Sequence, residues 1–339
     1  MITKHDNEQS NMKILLIYPY FLDKRIHAYE ISVPPIGIYY VGAQLKENGY
    51  NVHICNWHDA NHTPNIISET IKKERPDIVA FSILHANRWG GIDIAKIAKN
   101  LNPEIKIVFG GIGATFLWDH LLTYFHDIDF IVLGEGEIPF LQLVKALDKG
   151  AHDKIPLIPG IAFRHQGRPQ KTDPAEPVED LDQFPNPARY FQFQHVAFTR
   201  GCPGNCAFCG SPRFWGPRVR THSPGYFVDQ LELLTRKGIH FFYFSDDTFT
   251  YKKQWVQTIC QEIIHRQLQI TWVAIARVNH IQADLLGWMR KAGCIQISFG
   301  IESGSEKIRQ ELNKPIKTAQ IKKAFDLVKQ YGIMPRAYF

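Results

Sequence analysis

The sequence lacks the segments that would carry a protein into or across a membrane. No stretch approaches the roughly 18 consecutive apolar residues that a membrane-spanning helix needs. No N-terminal segment combines a basic start, an apolar run and a small-residue cleavage site, as a secretory signal does. Hydrophobic residues make up 45% of the chain and charged residues 21%, which is typical of a soluble globular protein. We therefore expect a cytoplasmic protein without a membrane span.

An excess of charge of either sign is also missing. A net charge of +6 is small for 339 residues. The basic residues of "RKGIH" (236–240) and "IKKAF" (321–325) fall at helical spacing among apolar ones. Such a pattern is typical of a solvated helix face rather than of a nucleic-acid patch, and we expect no nucleic-acid partner.

Cysteine is scarce, and its distribution excludes the disulfide framework of a small secreted protein. The chain has six cysteines, three of which lie in "GCPGNCAFC" (201–209). Clustered thiols in a reducing compartment more often bind metal or do redox work. Cys55, Cys260 and Cys294 lie apart from the cluster, and we expect them to be ordinary core residues.

A fourth protein ligand for a zinc ion is missing beside these three cysteines. A closed zinc site usually consists of two Cys or His pairs, and His195 and His222 flank the cluster without partners at that spacing. The His-x-Glu signature of deaminase-like zinc sites is absent as well. Thiolates are the usual ligands of iron–sulfur clusters. Cys202, Cys206 and Cys209 therefore favour a four-iron cluster with one iron open to another ligand.

Predicted strands and helices alternate in the first part of the chain. Apolar runs bounded by Gly, Pro or Asp predict buried strands at 12–20, 51–57, 77–84, 106–111 and 129–136. Apolar residues at helical spacing predict helices at 37–49, 65–75, 91–101, 115–126 and 138–149. This series predicts a Rossmann-like, doubly wound parallel sheet over residues 12–150. Such sheets bind ligands at the carboxyl ends of their strands.

The second part of the chain repeats the rhythm after a linker. Residues 151–190 are predicted to hold a hairpin at 160–172, turning at Gln166–Gly167, and a Pro-rich stretch without regular structure. Strands are then predicted at 195–202, 240–247, 270–277, 295–302 and 333–339, with helices near 223–237, 251–267, 283–292 and 318–331. The first four strands end in cysteine, carboxylate or arginine, as expected where parallel strands converge on the mouth of a barrel. We expect a partial barrel over residues 191–339.

The Cys-x3-Cys-x2-Cys pattern after the first of these strands resembles that of the radical S-adenosylmethionine (SAM) superfamily. The resemblance implies a (β/α)6 barrel and a [4Fe-4S] cluster on Cys202, Cys206 and Cys209, with Phe208 packed against it. It also implies that SAM binds the open iron and that an electron from the cluster cleaves SAM to a 5′-deoxyadenosyl radical. A flavodoxin- or ferredoxin-type electron donor and a small-molecule substrate follow from the same resemblance.

Two further segments, "FSDDTFT" (244–250) and "SFGIESGSEKI" (298–308), resemble the family's SAM-binding strand ends. The resemblance implies contacts with SAM from five side chains, which are Asp246, Asp247, Arg277, Ser298 and Glu302. Ordinary structural roles are the alternatives. Asp246, Asp247 or Thr248 would then cap the following helix, Arg277 would pair with Asp246 or Asp247, and Ser303 or Ser305 would cap the next helix.

The front domain resembles the cobalamin-binding domain that precedes the radical SAM barrel in one large subfamily. The likeness rests on "VPPIGIYYVGAQLKENGYNV" (33–52), "GGIGATF" (110–116) and "DFIVLGEGEIPFLQLV" (129–144). Because glycine lets the backbone approach a bulky ligand, it implies a cobalamin site at Ser82, Gly110, Gly111, Gly134, Glu135 and Gly136. No Gly-x-Gly-x-x-Gly fingerprint follows the first strand, which argues against NAD.

The string Asp-x-His-x-x-Gly, whose histidine ligates cobalt in domains of the methionine-synthase kind, does not occur. His58, His62 and His85 lie near predicted strand ends, but a solvated loop position is the commoner role of such histidines. We therefore expect cobalamin to bind without a protein ligand below cobalt.

The resemblance implies a radical SAM enzyme, with cobalamin-dependent methyl transfer to an unactivated carbon as the expected reaction. The alternatives are cobalamin-associated oxidative ring formation or rearrangement, and a non-catalytic iron–sulfur or cobalamin-binding module. Members of the resembled family continue into a sixth strand and a region that covers the barrel mouth, whereas this sequence ends at Phe339 in the fifth predicted strand. We expect a truncated barrel that binds the cluster and SAM better than it forms product.

Overall fold

The computed structural model describes residues 10–22, 34–58 and 64–339. The chain divides between Pro177 and Val178 into two compact units. Each unit is an α/β fold built on one large sheet whose strands are mostly parallel.

The first unit alternates strands and helices as its hydrophobic pattern predicts. Its parallel strands are β1 (Lys13–Tyr18), β2 (Asn51–Asn56), β3 (Ile78–Ser82), β4 (Lys106–Gly110) and β5 (Phe130–Val132). Its helices are α1 (Gly37–Glu47), α2 (Pro64–Glu74), α3 (Arg88–Leu101), α4 (Ile112–Tyr124) and α5 (Glu137–Asp148). The strand order is β2-β1-β3-β4-β5. The order reverses between β1 and β3, where doubly wound sheets form a ligand crevice.

Burial along the strands follows their place in this sheet. All residues of β1 except Lys13 are buried, because β1 lies between β2 and β3 and both its faces are covered. In the edge strand β2, buried residues alternate irregularly with exposed and partly exposed ones.

The predicted hairpin is present, and it adds two strands to the edge of the first sheet. Its strands β6 (Ile161–His165) and β7 (Arg168–Lys171) are antiparallel, and β6 pairs with β5. The turn lies where it was predicted, with Gln166 at φ 49° and Gly167 at φ 76°. Two successive left-handed residues are typical of the two-residue turn that matches strand twist.

The second unit holds a five-stranded parallel sheet in the order β14-β13-β12-β11-β8. Its strands are β8 (His195–Val196), β11 (Phe241–Phe244), β12 (Thr271–Ala276), β13 (Cys294–Gly300) and β14 (Met334–Tyr338). Its longer helices are α7 (Pro224–Arg236), α8 (Lys253–His265), α9 (Ala283–Lys291) and α11 (Thr318–Gln330). Two short helices that the sequence analysis did not predict are α6 (Ser211–Trp215) and α10 (Glu306–Glu311).

The predicted strand 195–202 is wrong as one element. It breaks after Val196, and β9 (Thr199–Arg200) instead pairs antiparallel with β10 (Arg220–Thr221). The break coincides with a contact from a distant segment, because the Asp246 carboxylate accepts the backbone N–H groups of Phe198 and Thr199. The chain is thereby turned out of the sheet just before the cysteines.

Among the described residues, no helix has the length and apolar composition that a membrane crossing requires.

Candidate functional site

Cys202, Cys206 and Cys209 lie in an irregular loop between β9 and α6, and each is partly accessible. We call residues 202–209 the cysteine loop. Two hydrogen bonds fold it on itself, from Gly204 N to Cys202 Sγ at 3.4 Å and from Cys209 N to Cys206 O at 3.1 Å. Phe208 is 54% exposed, so its ring is available to pack on a bound group rather than on the core.

The negative charges around Cys209 favour a cationic ligand. Burial raises the pKa of Cys209, and Asp247, Cys202 and Cys206 raise it further through their negative charge. Within the described residues, no three His, Cys, Asp or Glu side chains surround a position for one metal ion. Cysteines of an iron–sulfur cluster bind different iron atoms, so they need not converge on one point. The three thiols of the loop can therefore each supply one ligand to a cluster.

Asp246, two residues after β11, is buried. Its side chain is 1% exposed, and its Oδ1 atom accepts from Phe198 N at 3.1 Å, Thr199 N at 2.6 Å and Thr199 Oγ1 at 2.7 Å. Burial raises its pKa to about 6, although these hydrogen bonds act in the opposite direction. Its Oδ2 atom is buried without a hydrogen-bond partner.

The neighbouring Asp247 is exposed and accepts a hydrogen bond from Ser211 Oγ at 2.5 Å. Ser211 is two positions after Cys209, so this carboxylate lies beside the end of the cysteine loop. The helix-capping alternative for this segment is wrong. Thr248 makes no side-chain cap, and α8 begins only after Lys252.

Arg277, directly after β12, lies against the cysteine loop. Its Nη1 atom is 3.9 Å from Cys202 Sγ, and a Cβ atom added at Gly204 would collide with the guanidinium. The alternative pairing of Arg277 with Asp246 or Asp247 is wrong, since no such ion pair occurs among the described residues.

Ser298 and Glu302 lie at the end of β13. Ser298 is buried and accepts a hydrogen bond from Gln296 Nε2 at 3.3 Å. Glu302 has a left-handed backbone, with φ 68°, and its carboxylate binds Lys314 Nζ at 2.7 Å. Ser305 caps α10 through Ile308 N, which confirms the structural alternative for this residue. Ser303 Oγ accepts from Ser305 N at 3.1 Å just before that helix.

The predicted cobalamin residues gather at the carboxyl ends of three neighbouring strands. Ser82 ends β3 and is in register with Gly110 at the end of β4, and Gly134 to Gly136 follow β5. Gly111 has φ 89°, and a Cβ atom there would lie 3.0 Å from the Ile83 carbonyl oxygen. At Gly134, by contrast, a Cβ atom would meet nothing within 4 Å. The backbone is thus close-packed at Gly111 and open at Gly134, and the open position leaves room for a ligand.

Two residues that the sequence analysis missed brace these strand ends. Thr115 Oγ1 donates to Gly111 O at 2.9 Å and accepts from Gly134 N at 3.0 Å. Asn87, which is fully buried, accepts from Leu84 N at 2.8 Å and donates to Ser82 O at 3.3 Å. Thr115 lies within the string "GGIGATF", but its partner Gly134 is 19 positions away, and nothing in the sequence indicates that pairing. Asn87 bonds residues three and five positions away, and no motif marks it.

The histidines that were considered as ligands lie in separate places. His222 is buried and its Nδ1 atom is 3.0 Å from Asp182 Oδ1, whereas His195 Nδ1 is 2.8 Å from Ser245 Oγ. His58 follows β2, and the exposed His85 follows β3. His62 lies outside the described residues.

The remaining cysteines are buried, as predicted. Burial raises the pKa of the Cys55 thiol to about 12 and also raises those of Cys260 and Cys294. All three should therefore stay protonated and inert.

Two family models match the chain, one to each unit. The B12 binding domain matches residues 25–144, and the Radical SAM superfamily matches residues 196–338.

Two curated relatives match nearly all of the chain. It is 33% identical to an uncharacterized methyltransferase of Pyrococcus horikoshii, covering 95% of this chain and 72% of that protein. It is 32% identical to the anaerobic magnesium-protoporphyrin IX monomethyl ester cyclase of Rubrivivax gelatinosus, covering 97% of this chain and 62% of the cyclase. The chain therefore spans about two thirds of the length of these relatives.

Solved structures with the same fold include the radical SAM methyltransferase TsrM from Kitasatospora setae. The TM-score is 0.79 at 17% identity, over 96% of this chain and 67% of TsrM. The cobalamin-dependent radical SAM enzyme OxsB superposes with a TM-score of 0.81 at 21% identity, over 98% of this chain and 49% of OxsB.

Proposed function

This chain belongs to the radical SAM enzymes that carry a cobalamin-binding domain, and we propose that it transfers a methyl group to an unactivated carbon of a small molecule. The observation that carries the proposal is the pairing of two sites in one chain. The cysteine loop follows the first strand of the second sheet, and an open, glycine-lined edge ends strands β3 to β5 of the first. The name of the Pyrococcus horikoshii relative supports methyl transfer as the reaction.

Cys202, Cys206 and Cys209 would hold a [4Fe-4S] cluster, and Ser82, Gly110, Gly111, Gly134, Glu135 and Gly136 would line a cobalamin site. When bound, the cluster supplies the electron that cleaves SAM, and cobalamin supplies a carrier for the methyl group. The residues of this chain bind and orient these groups.

For SAM, we propose that Asp247 receives the ammonium group. It is the exposed carboxylate beside Cys209, and a carboxylate forms strong charge-assisted hydrogen bonds with ammonium. Asp246 supports this site from behind, because its Oδ1 atom is already occupied by three donors.

Arg277, Ser298 and Glu302 are proposed for the other parts of SAM. The Arg277 guanidinium lies against Cys202 and suits the SAM carboxylate. Glu302 is partly accessible and held in place by Lys314, so it suits the ribose hydroxyls. Buried Ser298 is the weaker candidate, since Gln296 already occupies its hydroxyl.

Two further parts of the proposal concern the surroundings of the enzyme. We propose that a flavodoxin- or ferredoxin-type protein reduces the cluster, and that the enzyme works in the cytoplasm, where thiols stay reduced.

Oxidative ring formation is the second candidate, favoured by the likeness to the cyclase of Rubrivivax gelatinosus. The two reactions differ in the fate of the SAM methyl group, because only a methyltransferase must move it to cobalamin.

The test uses SAM with a deuterated methyl group, added with dithionite to anaerobically reconstituted protein that carries iron, sulfide and cobalamin. We expect 5′-deoxyadenosine to form and the deuterated methyl group to appear in the cobalamin fraction by mass spectrometry. Formation of 5′-deoxyadenosine without labelled cobalamin would favour the cyclase. If SAM stays intact, the protein is a non-catalytic module and the proposal fails.

A further inference from the structure

Apart from the two hydrogen bonds within it, the cysteine loop has few contacts of its own to hold its shape. Side chains at 203, 205, 207 and 208 are exposed, and the loop contains no helix or strand. A loop without buried apolar side chains depends on hydrogen bonds from its surroundings for order. Two such bonds reach its middle from one distant segment, the end of α10.

The end of α10 is a well-defined turn. Asn313 N donates to Gln310 O at 2.9 Å and Lys314 N donates to Arg309 O at 2.8 Å, while Asn313 itself has φ 54°. These are the two hydrogen bonds of a Schellman motif, in which the left-handed position favours Gly or Asn. The helix therefore ends at Glu311, with Leu312 as its C-cap.

A buried arginine fixes this turn to the rest of the unit. Arg309 is 1% exposed, and its guanidinium donates to Ile316 O at 2.8 Å, Ser303 O at 2.6 Å and Thr318 Oγ1 at 2.8 Å. Such a fork of fixed donors holds three separate stretches of chain in one geometry.

From this turn, two groups reach the cysteine loop. Leu312 O accepts from Ala207 N at 3.0 Å, and Asn313 Nδ2 donates to Asn205 O at 2.6 Å. The two contacts hold residues on either side of Cys206, which lies more than 100 positions away in sequence.

We propose that Asn313 is a positioning residue, which holds the cysteine loop in the shape that presents Cys206 to the cluster. This role rests on the proposed function of the cysteine loop in binding a cluster. The contact between Asn313 and Asn205 is present without a bound cluster. The same turn carries Lys314, which binds Glu302, so it joins the cysteine loop to a proposed SAM residue.

The test compares Asn313→Asp and Asn313→Gly with the wild type. Asp keeps the size and tolerates the left-handed backbone but cannot donate, whereas Gly keeps the backbone conformation and removes the amide. The matched control is Asn48→Asp, which removes an amide donor to Gln44 O at 2.9 Å at the end of α1.

The first measurement is hydrogen exchange of the peptide around residues 203–209 in protein without iron. We expect both Asn313 variants to exchange about two- to tenfold faster there, the effect of one neutral hydrogen bond, and the control to match the wild type. The second measurement is anaerobic release of iron from reconstituted protein to a chelator, which we expect to accelerate by a similar factor.

If both Asn313 variants exchange hydrogen and release iron at the wild-type rates, the inference is overturned, and the cluster assignment stays intact. Wild-type behaviour in Asn313→Gly alone would overturn it too, because the amide donor would then be unnecessary. If the wild type itself takes up no iron, the proposed function fails, and the exchange experiment still decides whether Asn313 orders the loop.

Discussion

At the end of β11 two adjacent carboxylates face opposite environments. Asp246 is enclosed and bound to the chain that leads into the cysteine loop, whereas Asp247 is exposed beside Cys209. One aspartate can therefore organise the backbone before the cysteine loop, while the other, bonded to Ser211, stays accessible to a ligand.

The burial of Asp246 should make the stability of the protein depend on pH. Its pKa rises from 3.8 to about 6 on folding, so the folded state binds the proton more tightly than the unfolded state. The folded state is thus favoured at low pH, and this advantage is lost as pH rises through about 6. At about 1.4 kcal/mol per pKa unit, the full effect is on the order of 3 kcal/mol.

We therefore expect Asp246→Asn to gain stability relative to the wild type as pH rises from about 4.5 to 7. Asparagine keeps an acceptor for Thr199 and Phe198 but cannot ionise. Urea unfolding of the iron-free protein at several pH values measures the difference. Asp247→Asn is the control, and a difference for Asp246→Asn that does not change with pH would contradict the buried-acid account.

The cysteine assignment makes a separate prediction. The triple variant Cys202→Ala, Cys206→Ala, Cys209→Ala should lose the iron, the sulfide and the broad charge-transfer absorption of the reconstituted wild type, because the cluster loses its thiolate ligands. Iron and sulfide analysis after anaerobic reconstitution checks this. Cys55→Ala should keep full iron content, and a triple variant that does so as well would refute the assignment.

Among the elements, the hairpin of β6 and β7 depends on the backbone conformation of its two turn residues. The turn needs left-handed backbone at Gln166 and Gly167, and only glycine adopts it without cost. Asparagine tolerates this conformation better than glutamine does.

Replacement Gln166→Asn should therefore stabilise the first unit by roughly 0.5 kcal/mol, a fraction of the 1–2 kcal/mol that the left-handed region costs most residues. Thermal or urea unfolding measures the change. Gln170→Asn, at an exposed position within β7, should give no gain because asparagine is disfavoured in strands. An equal gain in both variants would mean that the turn is not the cause.

At the scale of the whole molecule, the two units supply two kinds of cofactor site. In the first unit, no Asp-x-His-x-x-Gly string accompanies the glycine-lined strand ends. Bound cob(II)alamin should therefore show no nitrogen superhyperfine splitting from a protein base in its electron paramagnetic resonance spectrum. A triplet splitting that disappears on replacing His58, His62 or His85 would identify a protein ligand instead.

Much of this architecture was readable from the sequence, because its signals are local. Apolar runs predicted the five parallel strands of the first sheet, and four of the five in the second lie close to their predicted positions. Helical spacing of apolar residues predicted most of the helices. The spacing of Cys202, Cys206 and Cys209 predicted a cluster site, because the ligands of that site are close in sequence.

Only the tertiary structure decided the hydrogen bonds between residues that are distant along the chain. The strand 195–202 looked continuous, yet Asp246, 47 to 48 positions away, takes two of its amides and ends it early. The bond from Asn313 to Asn205 spans 108 positions, and Arg309 is indistinguishable by pattern from a surface residue of a short helix. Local periodicity reports whether a side chain is buried, but a polar side chain acquires its partner only when the fold brings two separate segments together.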